Sequence, residues 1–325
     1  MSDLRPMTRR AALQLELTRW SLTKSPWTRP HHGVVAPDHL DPDDPLVRVG
    51  HVIPILSTGS VLTGWGSARW QGNLMLGGID RYGHRLPVTV ATPDGGQHRH
   101  RPGIRATRRS MLPDETLVFD NVPVTTLARA VYDQALDAHD LRETVVTIDM
   151  GVSRVVSQAR TTLANIDRLV ERHRKTRGIV RVREALSLAT DRSASPWETR
   201  TRLLAELDAD VRGLLSNVPV FDLDGGFLGV ADLIDPESGL VVESDGSHHR
   251  EAEQHADDNR REERFERAGA VVCRVTALDH RASERWTTVG RIRRAYLDAA
   301  RQGSRDWTLD KPDWWSGWDP GRRWD

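Results

Sequence analysis

The sequence predicts a multidomain protein of mixed α+β and α/β class, on three observations. Two apolar, β-branched runs at 227–235 and 240–245 flank the turn-forming Pro236, Glu237, Ser238 and Gly239, which reads as a β-hairpin. The periodicities around that hairpin run helix, strand, hairpin, charged helix, strand, so the C-terminal region has the order αβββαβ, followed by a last helix. At 325 residues with 38% hydrophobic content, the chain is long enough for about two or three packed domains.

Residues 1–50 form the first segment. Thr8-Arg9-Arg10-Ala11 opens a helix to about residue 17, a short helical pattern follows near 18–24, and Trp27-Thr-Arg-Pro-His-His-Gly-Val-Val35 reads as a small β-wing. Helix, helix, wing is a compact winged-helix-like arrangement whose second helix can enter a DNA major groove. Arg9, Arg10 and Arg19 are then candidates for phosphate contact. A structural cap for the next domain is the other reading.

The second region, 51–190, is mixed α/β passing into a helical linker. Residues 56–73, with Ser57, Ser60 and Ala68 around Trp65 and Trp70, read as a small-residue helix. Strands follow at 86–91, 103–107 and 116–119, separated by Pro, Gly and Asp. Residues 122–133 give a strand, a threonine N-cap and an amphipathic helix, and 136–189 are mostly helical, with Leu163, Ile166, Leu169 and Val170 as a core stripe. His98-Arg-His100 reads as exposed loop, since no acid or cysteine stands near it to complete a metal site.

In the third region, 191–302, Ser195 is an N-cap and Pro196 a first helical residue, opening a helix to about 212. A strand at 218–223 turns through Asp224-Gly225-Gly226 into the hairpin. A charged helix at 249–268 is ended by Gly269, a strand covers 270–276, and a helix covers 282–301. Residues 303–325 hold Trp307, Trp314, Trp315, Trp318 and Trp324 among Pro, Gly and Asp without helical or strand period, a flexible tail that docks its tryptophans on a neighbouring surface. Stacking on single-stranded bases is disfavoured by the acids beside them.

Composition narrows the class. Acidic and basic residues number 46 each, so net charge does not mark a nucleic-acid binder, although basic residues cluster in the first thirty positions and at Arg172-His-Arg-Lys-Thr-Arg177. No apolar run approaches the roughly 18–20 residues that span a bilayer, and the start lacks a signal-peptide pattern, which predicts a cytoplasmic protein with no membrane partner. The single cysteine, Cys273, sits mid-strand among valines as a small buried hydrophobe.

The hairpin carries the chemistry. Counting back from the loop pairs Asp235 with Leu240, Ile234 with Val241, Leu233 with Val242 and Asp232 with Glu243. Directly opposed side chains lie about 4.5–5.5 Å apart, and like charges there destabilise a sheet. Asp245 points to the same face as Glu243, so three carboxylates gather in a Val/Ile/Leu-rich sheet, the oxygen cluster that Mg²⁺ or Mn²⁺ takes. Solvated acids at the end of an edge strand are the plainer alternative.

With Ser195-Pro-Trp-Glu198, Arg200, Arg202, Val230-Ala-Asp232, Val242-Glu-Ser-Asp-Gly246, His249, Asp258-Asn-Arg-Arg261 and Gly269-Ala-Val-Val-Cys-Arg-Val275, residues 195–280 resemble the very-short-patch-repair-like (Vsr-like) branch of the PD-(D/E)XK nuclease superfamily. That resemblance implies a restriction-endonuclease-like domain and a divalent-metal-dependent DNA endonuclease. The superfamily's lysine would follow Glu243 by two residues, and here Asp245 stands there, as in other members of the branch. Residues 1–190 more weakly resemble AbiEi-type antitoxin-like proteins, through Trp27–Val35 and the Pro123-Val-Thr125 segment. This implies a linker or regulatory region, with a second copy of the chain or the toxin of a toxin–antitoxin pair as protein partner.

The expected roles follow. Asp232 and Glu243 hold the metal, Asp245 is a third ligand or an acceptor behind it, and Glu198 is an auxiliary ligand or an acid favoured by its helix dipole. His249, with His248 as rival, handles the proton in the absence of the lysine. Asp258 and Arg261 meet on one helix face, and Arg261 and Arg274 hold phosphate or pin the acids, whereas Arg260 and Arg264 read as a surface pair. The alternative function is a non-catalytic DNA-binding regulator that keeps the nuclease-like domain as a scaffold.

Overall fold

The computed structural model describes residues 5–92, 100–156, 159–245 and 252–317, with the backbone alone for 252–259. The described residues form ten α-helices and three sheets, a mixed α+β fold without a barrel. They divide into two compact units, Met1–Val152 with Ser157–Ala189, and Ser153–Val156 with Thr190–Asp325. No helix among the described residues is long and apolar enough to cross a membrane.

The first unit opens with β1 (Met7–Thr8), α1 (Arg9–Gln14), β2 (Trp27–Thr28) and β3 (Val34–Pro37), sheeted in the order β1-β3-β2 around Ala12, Leu22 and Val35. Thr8 caps α1 by accepting from the Ala11 amide at 3.0 Å. The second helix expected near 18–24 is instead a single 3₁₀ turn, Ser21–Thr23. Its hydroxyls explain the difference: Ser21 Oγ donates to the Thr18 carbonyl at 2.9 Å and Thr23 Oγ1 to the Trp20 carbonyl at 2.7 Å, local bonds that compete with helix propagation.

Next come α2 (Pro45–Gly50), β4 (Val61–Thr63), α3 (Gly64–Trp70), β5 (Val88–Ala91), β6 (Ile104–Thr107), β7 (Thr116–Phe119) and β8 (Val122–Thr125), with the five strands ordered β6-β5-β4-β8-β7. The expected 56–73 helix is therefore split into a strand at Val61–Thr63 and a helix confined to Gly64–Trp70. A turn with the Ser57 and Ser60 hydroxyls 2.6 Å apart precedes Val61, whose run pairs with both β5 and β8. The helix waits for Gly64, at φ +60°, where a Cβ would lie 2.9 Å from Gln134 Oε1.

Helices α4 (Leu127–Asp137), α5 (Leu141–Val152), α6 (Leu163–Arg172) and α7 (Ile179–Leu188) complete the unit, α4 being capped by Thr126. The expected stripe is largely core, with Ile166, Leu169 and Val170 buried. The basic cluster at 172–177 is partly committed to the fold, because Arg172 holds Asp114 through two bonds of 2.7 and 2.8 Å and His173 meets Glu115 at 2.8 Å. Helices α4 and α5 touch where a Cβ on Gly151 would stand 2.3 Å from Val131 Cγ2. Gly151→Ala should therefore lower the urea unfolding midpoint by the equivalent of about 1–3 kcal/mol. Gly290→Ala, in open space, should instead raise it by up to about 1 kcal/mol.

The second unit runs α8 (Pro196–Leu207), β9 (Leu215–Asp222), β10 (Phe227–Ile234), β11 (Leu240–Asp245), α9 (Ala252–Arg267), β12 (Val271–Thr276), α10 (Arg285–Arg301) and β13 (Trp307–Thr308), and its sheet is ordered β12-β11-β10-β9-β13. Strand alternation sorts the core onto two faces. Leu233, Val242 and Val275 pack with Leu204 of α8 and Ile292 of α10, while Ile234 and Val241 pack with Phe265 of α9. Helix α8 stops at Leu207, short of the expected 212, because Asp210 turns left-handed at φ +56°.

The C-terminal segment docks its tryptophans, as expected, but through a strand that was not expected. Trp307 and Thr308 pair antiparallel with Asp222 and Phe221 of β9. Trp307 and Trp315 are buried, Trp315 stacks 5.3 Å from the Phe227 ring, and Trp314 Nε1 donates to the Gly225 carbonyl at 3.1 Å. The strand spans only two residues and exists through its partner, so no local period could announce it. Trp318 and Trp324 lie outside the described residues.

Candidate functional site

The hairpin loop is held by Asp235, whose carboxylate accepts from the Glu237 and Ser238 amides at 3.2 and 3.1 Å, with Gly239 at φ +81°. From there the strands pair Ile234 with Val241 and Leu233 with Val242, the register expected from the turn. At the following position the carboxylates themselves bridge the strands. Asp232 Oδ2 accepts from the Ser244 amide at 2.8 Å, and the Glu243 carboxyl accepts from the Asp232 backbone N–H. Each acid thus occupies an amide of the opposite strand, which offsets part of the cost of placing two acids together.

The same row extends across the sheet. Glu243 lies beside Arg274 of β12, and the pairs Ala231–Val218 and Leu233–Ser216 place Asn217 of β9 beside Asp232. Asn217 has φ +50°, a left-handed conformation that asparagine tolerates, and its Nδ2 donates to Glu198 Oε2 at 2.6 Å. That oxygen also accepts from the Ala194 amide at 2.7 Å. Glu198 is placed by its helix start, since Ser195 Oγ caps α8 by accepting from the Glu198 amide at 3.1 Å.

Burial dominates the electrostatics. Glu243, only 5% exposed, is pushed up to about 8 by burial and then by the Asp232 charge, against the pull of the Arg261 guanidinium. Its Oε2 is ion-paired to Arg261 Nη2, while its Oε1 is buried with no hydrogen-bond partner. Glu198, also buried, is pushed up to about 7 by burial and by Asp232, against the hydrogen bonds from Asn217, Ala194 and Ser195. The Arg261 stem crosses β10 at Gly229, where a Cβ would come within 2.8 Å of its Cγ.

Asp232, Glu243, Glu198 and Arg261 are therefore drawn into one polar patch on the second unit. Asp245 stands at the end of β11, half-buried and paired in register with Thr276. Arg274 does not pin the site acids as expected: its guanidinium is ion-paired to Glu262 of α9, the acid next to Arg261. His248 and His249, the Asp258 side chain and His98 lie outside the described residues. Arg9, Arg10 and Arg19 are exposed and belong to the first unit.

Sequence reasoning missed Asn217, whose only signal is a lone amide in a strand of alternating apolar residues. It also missed a cluster on the α8 face, where Thr201 Oγ1 lies 3.1 Å from both Ser244 Oγ and His280 Nε2. The His280 ring packs 5.2 Å from Trp197, over which Arg200 lies at 4.7 Å.

Chemically, the patch holds two carboxyl groups, Glu198 and Glu243, kept well above the usual carboxylate range by burial and by the neighbouring Asp232. Among the described residues, no set of three or more His, Cys, Asp or Glu side chains is gathered closely enough to hold a metal ion as it stands. No family model, curated protein or solved structure matches the chain.

Proposed function

We propose that the second unit is a divalent-metal-dependent phosphodiester hydrolase acting on DNA, of the Vsr-like PD-(D/E)XK kind and with Mg²⁺ or Mn²⁺ as cofactor. The observation that carries the reading is the buried Glu243 carboxyl, with one oxygen lacking a partner and a pKa raised to about 8 beside Asp232. Carboxylates are the ligands a hard cation selects, and such an ion would relieve the repulsion that raises these groups. Asp232 and Glu243 would hold it, with Glu198 behind them. Bound there, the ion supplies an activated water and stabilises charge on phosphate. The αβββαβ order of the second unit supports the same assignment.

Incubating the full chain with supercoiled plasmid should give nicked circles with Mg²⁺ or Mn²⁺ and none with EDTA. Intact plasmid under both ions would overturn the hydrolase reading.

A second reading, a DNA-binding regulator built on a nuclease-like scaffold, is favoured by the Arg261 guanidinium, a cation already seated on Glu243. In that case Arg9, Arg10 and Arg19 of the first unit would control duplex affinity, with log K falling linearly against log salt. A partner protein, either a second copy or a toxin, fits this reading, and cytoplasmic action fits both.

A further inference from the structure

We propose that the first unit carries a binding cavity for a small organic anion, centred on His51. The cavity measures about 460 Å³ and lies between the end of α2 and the segments leading into β5 and β6. That volume is in the range of small-molecule sites, about 300–1,000 Å³. Its walls are mainly apolar, from Pro30, Leu40, Pro42, Val52, Leu86 and Val88.

Three polar facts define what it receives. His51 lines the cavity at 9% exposure, and its Nε2 is buried with no hydrogen-bond partner, an expensive vacancy for a polar atom. Arg48, also on the lining, is held by the Gly78 carbonyl at 3.0 Å, by the Leu86 carbonyl and by the Trp65 ring at 4.7 Å, and no carboxylate among the described residues offsets the burial that lowers its pKa. His31 faces the same space, close enough to His51 to depress its protonation.

Of the surrounding charges, Arg85 is ion-paired to Asp43, Arg101 donates to the His32 carbonyl at 2.8 Å, and Asp38, the one acid on the cavity lining among the described residues, accepts from Ser25 Oγ at 2.8 Å. Burial holds both imidazoles below the usual histidine range, with Arg101 adding to the effect on His31. An uncompensated guanidinium and two uncharged imidazoles on an apolar wall suit a negatively charged group carried on an apolar body. The bound anion would accept from His51 and restore imidazole protonation, so binding takes up a proton.

Calorimetric titration of the full chain with phenyl phosphate, benzoate, inorganic phosphate and benzyl alcohol tests this. At least one aromatic anion should bind more tightly than inorganic phosphate and benzyl alcohol, and more tightly at about pH 6 than about pH 8. Its heat should vary with buffer ionisation enthalpy. Whichever aromatic anion wins identifies the headgroup as phosphate or carboxylate. His51→Gln should weaken binding roughly ten- to hundredfold and reduce the proton uptake, and His31→Gln should weaken it less. Both variants should keep the parent's urea unfolding midpoint; if His51→Gln unfolds, the His31→Gln comparison and the pH dependence decide. No heat from either aromatic anion, equal binding of benzyl alcohol, or pH-independent binding in the parent would overturn the proposal.

Discussion

Asp232→Asn and Glu243→Gln should each reduce plasmid nicking by roughly 10²–10⁴-fold. The argument rests on what the carboxylates do for a cation. A bound divalent ion is worth several kcal/mol of transition-state charge stabilisation, and each 1.4 kcal/mol is about a factor of ten in rate. Both substitutions keep side-chain shape while removing the charge that attracts the ion, so the loss separates from misfolding. Glu198→Gln should cost far less, about tenfold, because its Oε2 is already committed to the Ala194 amide and Asn217. Rates measured under single-turnover conditions at saturating Mg²⁺ would decide. Parental nicking by both Asp232→Asn and Glu243→Gln would remove the assignment of this patch as the catalytic centre.

The second large effect is on stability against pH. Glu198 and Glu243 sit at about 7 and about 8 in the folded protein, against 4.5 for an ordinary glutamate. The folded state therefore retains protons that the unfolded chain releases, and stability falls wherever it does so. The stabilising contribution is whole below about pH 4.5 and is lost as the pH rises through about 7 and then about 8. Because both groups share Asp232 as a neighbour they titrate as a set, and the total is on the order of a few kcal/mol. A divalent ion bound only to the native state adds RT ln(1 + [L]/Kd), about 2.7 kcal/mol at a hundredfold excess over Kd. Urea midpoints in EDTA should thus decline from about pH 5 to about pH 8, and Mg²⁺ should reverse the decline most at the alkaline end. Glu243→Gln should raise the EDTA midpoint at about pH 8 and shrink the Mg²⁺ effect. Superimposable curves with and without the ion would leave the acids as a purely structural patch.

The hairpin and its register were legible because the turn chemistry of Pro236–Gly239 and a two-residue period constrain each other: a slip of one position would send Val241 and Val242 to the wrong faces. Glu198 was legible from the Ser195-Pro196 helix start. What stayed hidden depends on geometry between elements. The pairing of Arg274 with Glu262 reflects how α9 lies on β12, and the role of Asn217 arises from a left-handed backbone that its strand sequence does not advertise. The 61–63 strand failed for a similar reason: three residues beside a glycine-rich helix carry too little period to reveal a sheet position.

The strand at Trp307–Thr308 has a consequence for biosynthesis. It closes the β9 side of a sheet whose other strands are complete thirty residues earlier, at Thr276. During translation the nascent second unit therefore carries an open strand edge, with Phe221 and Phe227 lacking Trp315, until the C-terminal segment leaves the ribosome. Unpaired edges of this kind recruit other chains, so messages truncated between codons 302 and 306, which keep α10 and lose only the closing segment, should yield polypeptides that depend on chaperones or aggregate, although every candidate site residue is already present in them.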